Sequence, residues 1–180
     1  MLGKQTLAEG RHLRFVVRNQ WEFVERPGIS GIVVIVGLTA HRGLVLVSQW
    51  REPVGAPVVE LPAGLAGDLP GSEMEELAAA AKRELREETG FEAGALEVVL
   101  TGPPSPGISD EVVTFYRARG LVRVSRGGGE AGEGVRAHVV PLARLESWLE
   151  KMKARGFLVD PKVLAGAYLL SKETDGNNDD

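Results

Sequence analysis

The sequence predicts a single domain of the mixed α/β class, and three observations carry that prediction. The chain has 180 residues, of which 43% are hydrophobic and 26% charged, the usual balance of a globular domain of this length. Short segments rich in β-branched residues recur through the first 120 residues. One long segment rich in Ala, Glu, Leu and Arg interrupts them and is typical of a helix.

Strands are predicted where apolar and β-branched residues run between turn residues. Residues 31–38 are apolar throughout, as in a strand buried on both faces, and 44–50 should pair with them. Further strands are expected at 12–18, 21–26, 96–101, 112–119 and 135–140. Residues 53–71, rich in Pro and Gly, should be mostly loop, and the glycine-rich stretch 127–134 should be a mobile loop.

The helix predicted over residues 73–89 contains neither Gly nor Pro. Ser72 and Glu75 have the spacing of a capping box at its start, and Gly90 should end it. Two further helices are expected at 142–154 and 161–172, and a disordered acidic tail at 173–180. We therefore expect one domain over residues 1–172.

Composition excludes several classes of protein. The chain has no cysteine, which excludes disulfide scaffolds and zinc–thiolate sites. The longest apolar run, 32–38, is far shorter than the roughly 20 residues that span a bilayer. The N-terminal residues lack the apolar core of a signal peptide, so a cytoplasmic location without membrane contact is the default expectation. With 21 basic and 25 acidic residues, a broad nucleic-acid-binding face is not expected.

Acidic residues are concentrated in the predicted long helix. Residues 73–92 hold seven acids and three bases. At about 100° per residue, Glu87 and Glu88 lie about 60° and 40° to either side of Glu84. Like charges crowded at the negative end of a helix repel each other, and the same face merges into an apolar one. One explanation is a compensating Mg²⁺ or Mn²⁺ ion; the other is a solvated acidic face.

The segment 83–91 resembles the signature of the Nudix hydrolases. The positions that match the signature are Glu75, Arg83, Glu84, Leu85, Glu87, Glu88, Gly90 and Phe91. One position departs from it, because the signature glycine would fall at Leu69. The nearest equivalent is Gly64, so the loop that enters the helix carries about five extra residues.

Further segments resemble one branch of that family, the ADP-ribose pyrophosphatases. They are Gln49-Trp50-Arg51-Glu52-Pro53, the Glu-Leu-Pro-Ala-Gly stretch 60–64, and the loop 105–111. The resemblance implies the Nudix fold, a mixed β-sheet sandwiched between α-helices. It also implies Mg²⁺-dependent hydrolysis of a nucleoside diphosphate derivative, first of all ADP-ribose to AMP and ribose 5-phosphate. Other nucleotide sugars such as GDP-mannose, NADH, FAD, oxidised nucleoside triphosphates and a catalytically silent nucleotide sensor remain alternatives.

The resemblance also implies roles for individual residues at the metal. Glu84 and Glu88 would bind the metal directly, Glu87 directly or through water, and the Ala63 carbonyl would complete a metal shell. Arg83 would orient these glutamates by salt bridges.

The remaining candidate residues come from the flanking segments. Glu111 would be a general base or an extra metal ligand, with Asp110 as the alternate; its other explanation is an exposed loop acid. Arg26 and Arg51 would contact a phosphate, unless they form ordinary surface ion pairs, and Glu60 is assigned to substrate binding. Trp21 would stack on adenine, in a homodimer built through the N-terminal strands of residues 1–28, or else pack in the core.

Overall fold

The computed structural model describes residues 3–69, 71–72, 74–129 and 134–175. Within these ranges the strands are β1 (Gln5–Glu9), β2 (Arg14–Arg18), β3 (Trp21–Glu25), β4 (Gly31–Gly37), β5 (Gly43–Arg51), β6 (Ala56–Glu60), β7 (Ala63–Ala66), β8 (Phe91–Glu92), β9 (Ala95–Gly102), β10 (Val113–Arg119), β11 (Val122–Arg123), β12 (Arg136–Pro141) and β13 (Leu158–Val159). The helices are α1 (Leu77–Thr89), α2 (Leu145–Lys153) and α3 (Pro161–Asp175).

Two four-stranded sheets, ordered β7-β4-β10-β9 and β12-β5-β6-β13, form the centre of the molecule. Strand β10 runs parallel to β4, and β13 parallel to β6, whereas the other pairs in these sheets are antiparallel. The N-terminal strands form a separate sheet, β1-β2-β3, and β11 pairs with β8. The mixed-sheet prediction is confirmed.

Strand β4 lies at the middle of the core because both of its faces are covered. Val34 and Val36 pack in the cluster that includes residues of α2 and α3. Val33 and Ile35 point the other way, into the cluster built on α1. Successive side chains of a strand alternate between faces, so an uninterrupted apolar run fits a strand with helices on both sides. The expected placement of sheet between helices is therefore confirmed.

The prediction of a mostly irregular segment over residues 53–71 is wrong. Strand β6 pairs with β5, and β7 pairs with β4. Of the Pro and Gly residues that suggested a loop, Gly64 lies in β7, where an added Cβ would meet the Glu84 side chain of α1. Tertiary contacts outweigh local propensity in such a segment.

The predicted capping box is also wrong, and α1 begins at Leu77. Residue Glu76 occupies the N-cap position without a side-chain capping bond. The Ser72 hydroxyl donates to the Leu69 carbonyl, and the Glu75 carboxylate accepts from Arg83 and from the Gly67 N–H. A guanidinium is the stronger partner for a carboxylate than an orphan helix N–H. Gly90 ends the helix in the left-handed region, as expected.

The later elements differ from expectation mainly at their ends. A short 3-10 turn (Leu142–Arg144) precedes α2, and α3 continues to Asp175. The predicted tail therefore starts within a helix, and its residues 176–180 lie outside the described ones. Part of the glycine-rich stretch, 130–133, also lies outside them. No helix in the described part of the chain is long and apolar enough to cross a membrane.

Candidate active site

Two glutamates of α1 face the start of β7. The Ala63 N–H donates to Glu88 Oε2 at 3.1 Å. Gly64 lies directly against the carboxylate of Glu84, and a Cβ added there would sit 2.0 Å from Glu84 Cδ. Only glycine leaves room for that carboxylate, which agrees with Gly64 being the equivalent of the signature glycine. We call Ala63, Gly64, Glu84 and Glu88 the carboxylate floor.

Burial of the two carboxylates changes their acidity. Loss of water raises the pKa of Glu88 to about 8, although the Ala63 N–H partly offsets this. Burial likewise raises the pKa of Glu84 to about 7, against the attraction of Arg83. Like-charge repulsion from Glu84 also raises the pKa of Glu88, and repulsion from Glu87 and Asp68 raises that of Glu84. Two neighbouring desolvated anions are costly unless a cation joins them.

Arg83 is the centre of an ion-pair network beside the floor. Its guanidinium donates to both carboxylate oxygens of Glu75, at 3.2 and 3.1 Å. It also donates to Glu84 at 2.8 Å and to Glu87 at 3.3 Å. A further bond, of 2.9 Å, reaches the Leu65 carbonyl on β7. These contacts lower the pKa of Glu75 and raise that of Arg83, so both stay charged and tie α1 to β7.

The floor opens into a cleft of about 410 Å³. Two ion pairs are found in it: Arg26 Nε donates to Glu111 Oε1 at 3.0 Å, and Arg51 Nε donates to the Glu60 carboxylate at 2.9 Å. The charged residues lining the cleft are Arg26, Arg51, Glu60, Asp68, Glu84, Glu88, Glu111 and Lys162. Five acids thus face three cationic side chains, so the cleft favours a bound cation.

Besides Arg83 and Asp110, two predicted site residues do not line this cleft. The Glu87 side chain is 40% exposed and lies on the other side of Arg83, toward Arg86 and Arg126. Trp21 is 62% exposed, and its indole N–H donates to the Gly107 carbonyl at 3.3 Å. It is therefore not a core residue. It lies against the loop that leads to Glu111, whose position is set by the bond from the Val24 N–H to the Ile108 carbonyl.

The cleft also includes charged residues that sequence reasoning missed. Lys162, in the first turn of α3, and Asp68, after β7, both line it. Neither belongs to a recognisable local pattern, and Lys162 follows the floor by about 75 residues in sequence. Only the packing of α3 against β4 and β6 brings it there.

The residues present fit a divalent cation with oxygen ligands. The floor offers two buried carboxylates with little positive charge close to Glu88, together with backbone groups of Ala63 and Gly64. Hard cations such as Mg²⁺ accept such donors and keep several water or phosphate ligands. Among the described residues, no three His, Cys, Asp or Glu side chains gather to hold one ion alone. Any ion there would share its ligands with water or substrate.

A floor of carboxylates with arginines nearby is typical of a site that binds phosphate groups together with a cation. The chain matches the NUDIX domain over residues 30–160. It therefore belongs to the Nudix family, as the sequence resemblance predicted.

Several known proteins are similar to this chain. It is 43% identical to an ADP-ribose pyrophosphatase of Mycobacterium tuberculosis over 151 residues, which are 81% of this chain and 67% of that one. It is 31% identical to a methanol dehydrogenase activator of Bacillus methanolicus over 152 residues, 84% of this chain and 77% of that one. The crystal structure of an ADP compounds hydrolase shares the fold, with a TM-score of 0.70 at 22% identity, over 98% of this chain and 94% of the other.

Proposed function

We propose that this protein hydrolyses the pyrophosphate bond of ADP-ribose, giving AMP and ribose 5-phosphate, with Mg²⁺ as its cation. The observation that carries the proposal is the carboxylate floor, which lies in one cleft with Arg26, Arg51 and Glu111. Relatives named ADP-ribose pyrophosphatase support the substrate. They include one from Bacillus subtilis, 35% identical over 100 residues, which are 56% of this chain and 50% of that one.

The cation would be held by Glu84 and Glu88, with the Ala63 carbonyl and with Glu87 directly or through water. Glu87 would have to act from the far side of Arg83, where the structure places it. Bound divalent cations neutralise a pyrophosphate and polarise a water for attack on phosphorus. Mn²⁺ has the same preference for oxygen ligands and would substitute.

The arginines of the cleft would bind the pyrophosphate. Arg26 and Arg51 each use Nε for a glutamate in the cleft. A guanidinium carries five N–H donors, so the remaining ones are suited to phosphate oxygens. Arg83 would act indirectly, because its bonds to Glu75, Glu84 and Leu65 hold the floor in place.

Glu111 would accept the proton of the attacking water. Its carboxylate lines the same cleft as the floor and is held by Arg26, so it is not a freely exposed loop acid. The water oxygen forms a bond to phosphorus as the bridging P–O bond breaks, and the released phosphate takes the electrons of that bond. Asp110 is the alternate base; it does not line this cleft, but it lines a neighbouring one together with Arg26 and Glu111.

A substrate panel with Mg²⁺ tests this proposal. We expect ADP-ribose to give the highest kcat/KM among ADP-ribose, GDP-mannose, NADH, FAD and 8-oxo-dGTP, with AMP and ribose 5-phosphate as its products. A higher kcat/KM for another compound would contradict ADP-ribose as the substrate but would support the proposed type of reaction. No turnover of any of them, in a protein that is folded by circular dichroism, would leave the nucleotide sensor as the explanation.

We also infer a homodimer formed through the N-terminal sheet. Four apolar side chains of this region, Leu7, Leu13, Phe15 and Trp21, are each at least 40% exposed, and strand β1 is exposed along its whole length. Apolar area of this kind is typical of an interface. Light scattering of the purified chain should give twice the mass of 19.3 kDa, and a monomer at micromolar concentration would contradict the inference.

The cytoplasmic location expected from the sequence stays a prediction. Fractionation of the native cells, followed by detection of the protein with an antibody, would test it. The absence of nucleic-acid binding is likewise a prediction, for which a gel-shift assay at low salt is the measurement, because electrostatic binding is strongest there.

A further inference from the structure

We propose that the segment 122–129 is a positioning element for the metal-binding end of α1, with Arg123 and Gly127 as its positioning residues. This inference rests on the proposed function, because it concerns the glutamates assigned to the cation. The proposed role is to hold the backbone of the helix end, whereas the carboxylate floor is made of contacts to the side chains.

The segment supplies hydrogen-bond donors to the end of the helix. The last carbonyls of an α-helix have no partner within the helix. Here the Gly128 N–H donates to the Glu88 carbonyl at 2.9 Å, and the Gly129 N–H to the Glu87 carbonyl at 3.0 Å. The Val124 N–H reaches the Gly90 carbonyl at 2.8 Å. Two of the three residues whose carboxylates are assigned to the metal, Glu87 and Glu88, are thus bound by the segment through their carbonyls.

Close packing of two glycines makes this arrangement possible. A Cβ at Gly127 would lie 2.4 Å from the Thr89 carbonyl carbon and 2.5 Å from the Gly90 nitrogen. A Cβ at Gly90 would lie 2.2 Å from the Ser125 carbonyl oxygen. All of these neighbours are backbone atoms, which cannot rotate away as a side chain can. Any larger residue at 127 must therefore displace the segment from the helix end.

Arg123 holds the segment in its bent form. Its guanidinium lies over the Phe91 ring, 5.5 Å from the centroid, and donates to the Ser125 carbonyl at 3.1 Å and the Arg126 carbonyl at 3.2 Å. Strand β11, which includes Arg123, pairs with β8 immediately after α1. A lysine would retain the charge over the ring but has no planar fork to bind two carbonyls.

These contacts explain how the floor can be ordered before a cation arrives. Glu88 is 6% exposed, and its carboxylate accepts a hydrogen bond from the Ala63 N–H. A helix end free to fray would let the carboxylate move to water. Residues that orient metal ligands in this way typically change metal affinity by about 10- to 100-fold when they are replaced.

The test compares G127A and R123A with G156A. Gly156 has a positive φ of 86° and open space around its Cα, so G156A brings the same backbone strain without a close approach. We expect G127A and R123A to weaken Mn²⁺ binding to the substrate-free protein about 10-fold, measured by electron paramagnetic resonance. Amide exchange at Gly128 and Gly129 should become faster in the metal-free protein, and R123K should recover part of both properties.

For the substrate, kcat at a fixed subsaturating Mg²⁺ concentration should fall while KM for ADP-ribose stays within about 2-fold of the wild-type value. Wild-type Mn²⁺ affinity in both folded variants, with only a lower Tm as in G156A, would overturn the proposal. Loss of Mn²⁺ affinity in G156A to the same degree would overturn it as well. If the wild-type protein hydrolyses none of the panel compounds, the proposed function fails, and the Mn²⁺ and exchange measurements still test the positioning role.

Discussion

The carboxylate floor and the N-terminal sheet are built in opposite ways. Glu88 is 6% exposed and accepts from the Ala63 N–H, and Glu84 packs closely against Gly64. Trp21 is 62% exposed, and one 3.3 Å bond joins it to the neighbouring loop. A cation site needs ligands fixed before binding, whereas a stacking platform for a base can be completed by a second subunit. Substitutions in the floor should therefore affect chemistry, whereas substitutions in the N-terminal sheet should affect substrate affinity.

The largest effect should follow from changing the floor itself. E88Q removes a charged oxygen ligand while keeping the shape of the side chain. We expect kcat to fall about 1,000-fold, which corresponds to about 4 kcal/mol of lost transition-state stabilisation, with an unchanged far-ultraviolet circular dichroism spectrum. E92Q is the matched control, because Glu92 is exposed and pairs only loosely with Arg86, at 3.5 Å. Equal activity of E88Q and E92Q would show that Glu88 is not a metal ligand.

E111Q separates the loop side of the cleft from the floor. If Glu111 is the general base, kcat should fall about 100-fold, while the Mn²⁺ affinity of the substrate-free protein stays at the wild-type value. Titration of Mn²⁺ by electron paramagnetic resonance makes the distinction. A parallel loss of Mn²⁺ affinity would instead show that Glu111 is an extra metal ligand. The loop side of the cleft would then bind the cation as the floor does.

G64A should damage the floor without changing any charge. The added methyl group would overlap the Glu84 carboxylate, which must then move or displace β7. We expect a roughly 50-fold weaker Mn²⁺ affinity and a lower Tm. G102A, at a glycine with open space on strand β9 at the other edge of the same sheet, should leave the Mn²⁺ affinity unchanged. Wild-type Mn²⁺ binding by G64A would contradict the assigned role of this close approach.

W21A should change substrate affinity and leave the chemical step unchanged. Removal of a stacking ring is expected to raise the KM for ADP-ribose about 10-fold, since a base stacked on an aromatic side chain gains about 1–3 kcal/mol. Because Trp21 is mostly exposed, the free energy of unfolding should change by less than about 0.5 kcal/mol. Steady-state kinetics and urea unfolding measure the two quantities. An unchanged KM would leave Trp21 as a surface residue of its strand.

The smallest expected effect is a pH dependence of stability in the metal-free protein. Burial raises the pKa of Glu88 from 4.5 to about 8, so the folded state binds a proton more tightly than the unfolded state. The resulting stabilisation is complete below pH 4.5 and is lost as the pH rises toward 8. We expect Tm to fall by about 5 °C between pH 5.5 and 8, and less in E88Q. Calorimetry in the presence of a chelator measures this, and a Tm that rises over that interval in the wild type alone would contradict it.

Local pattern was sufficient for some elements and misleading for others. The apolar run 31–38 and the Ala- and Glu-rich helix were predicted correctly from the sequence, because in each the signal lies in neighbouring residues. The capping box was predicted wrongly, because Arg83 on the next turns competes for Glu75. Strand β7 was missed, because its small residues have low strand propensity and are selected by the approach of α1.

The sequence alone determined the family, the sheet between helices and the three glutamates of α1, since a spaced motif on one helix is a local property. The tertiary structure decided how those glutamates divide, with Glu84 and Glu88 in the cleft and Glu87 beyond Arg83. It also brought Lys162 to the cleft and residues 127–129 to the end of α1. The physical reason is that burial and backbone hydrogen bonds depend on segments far apart in the chain, whose meeting no local spacing encodes.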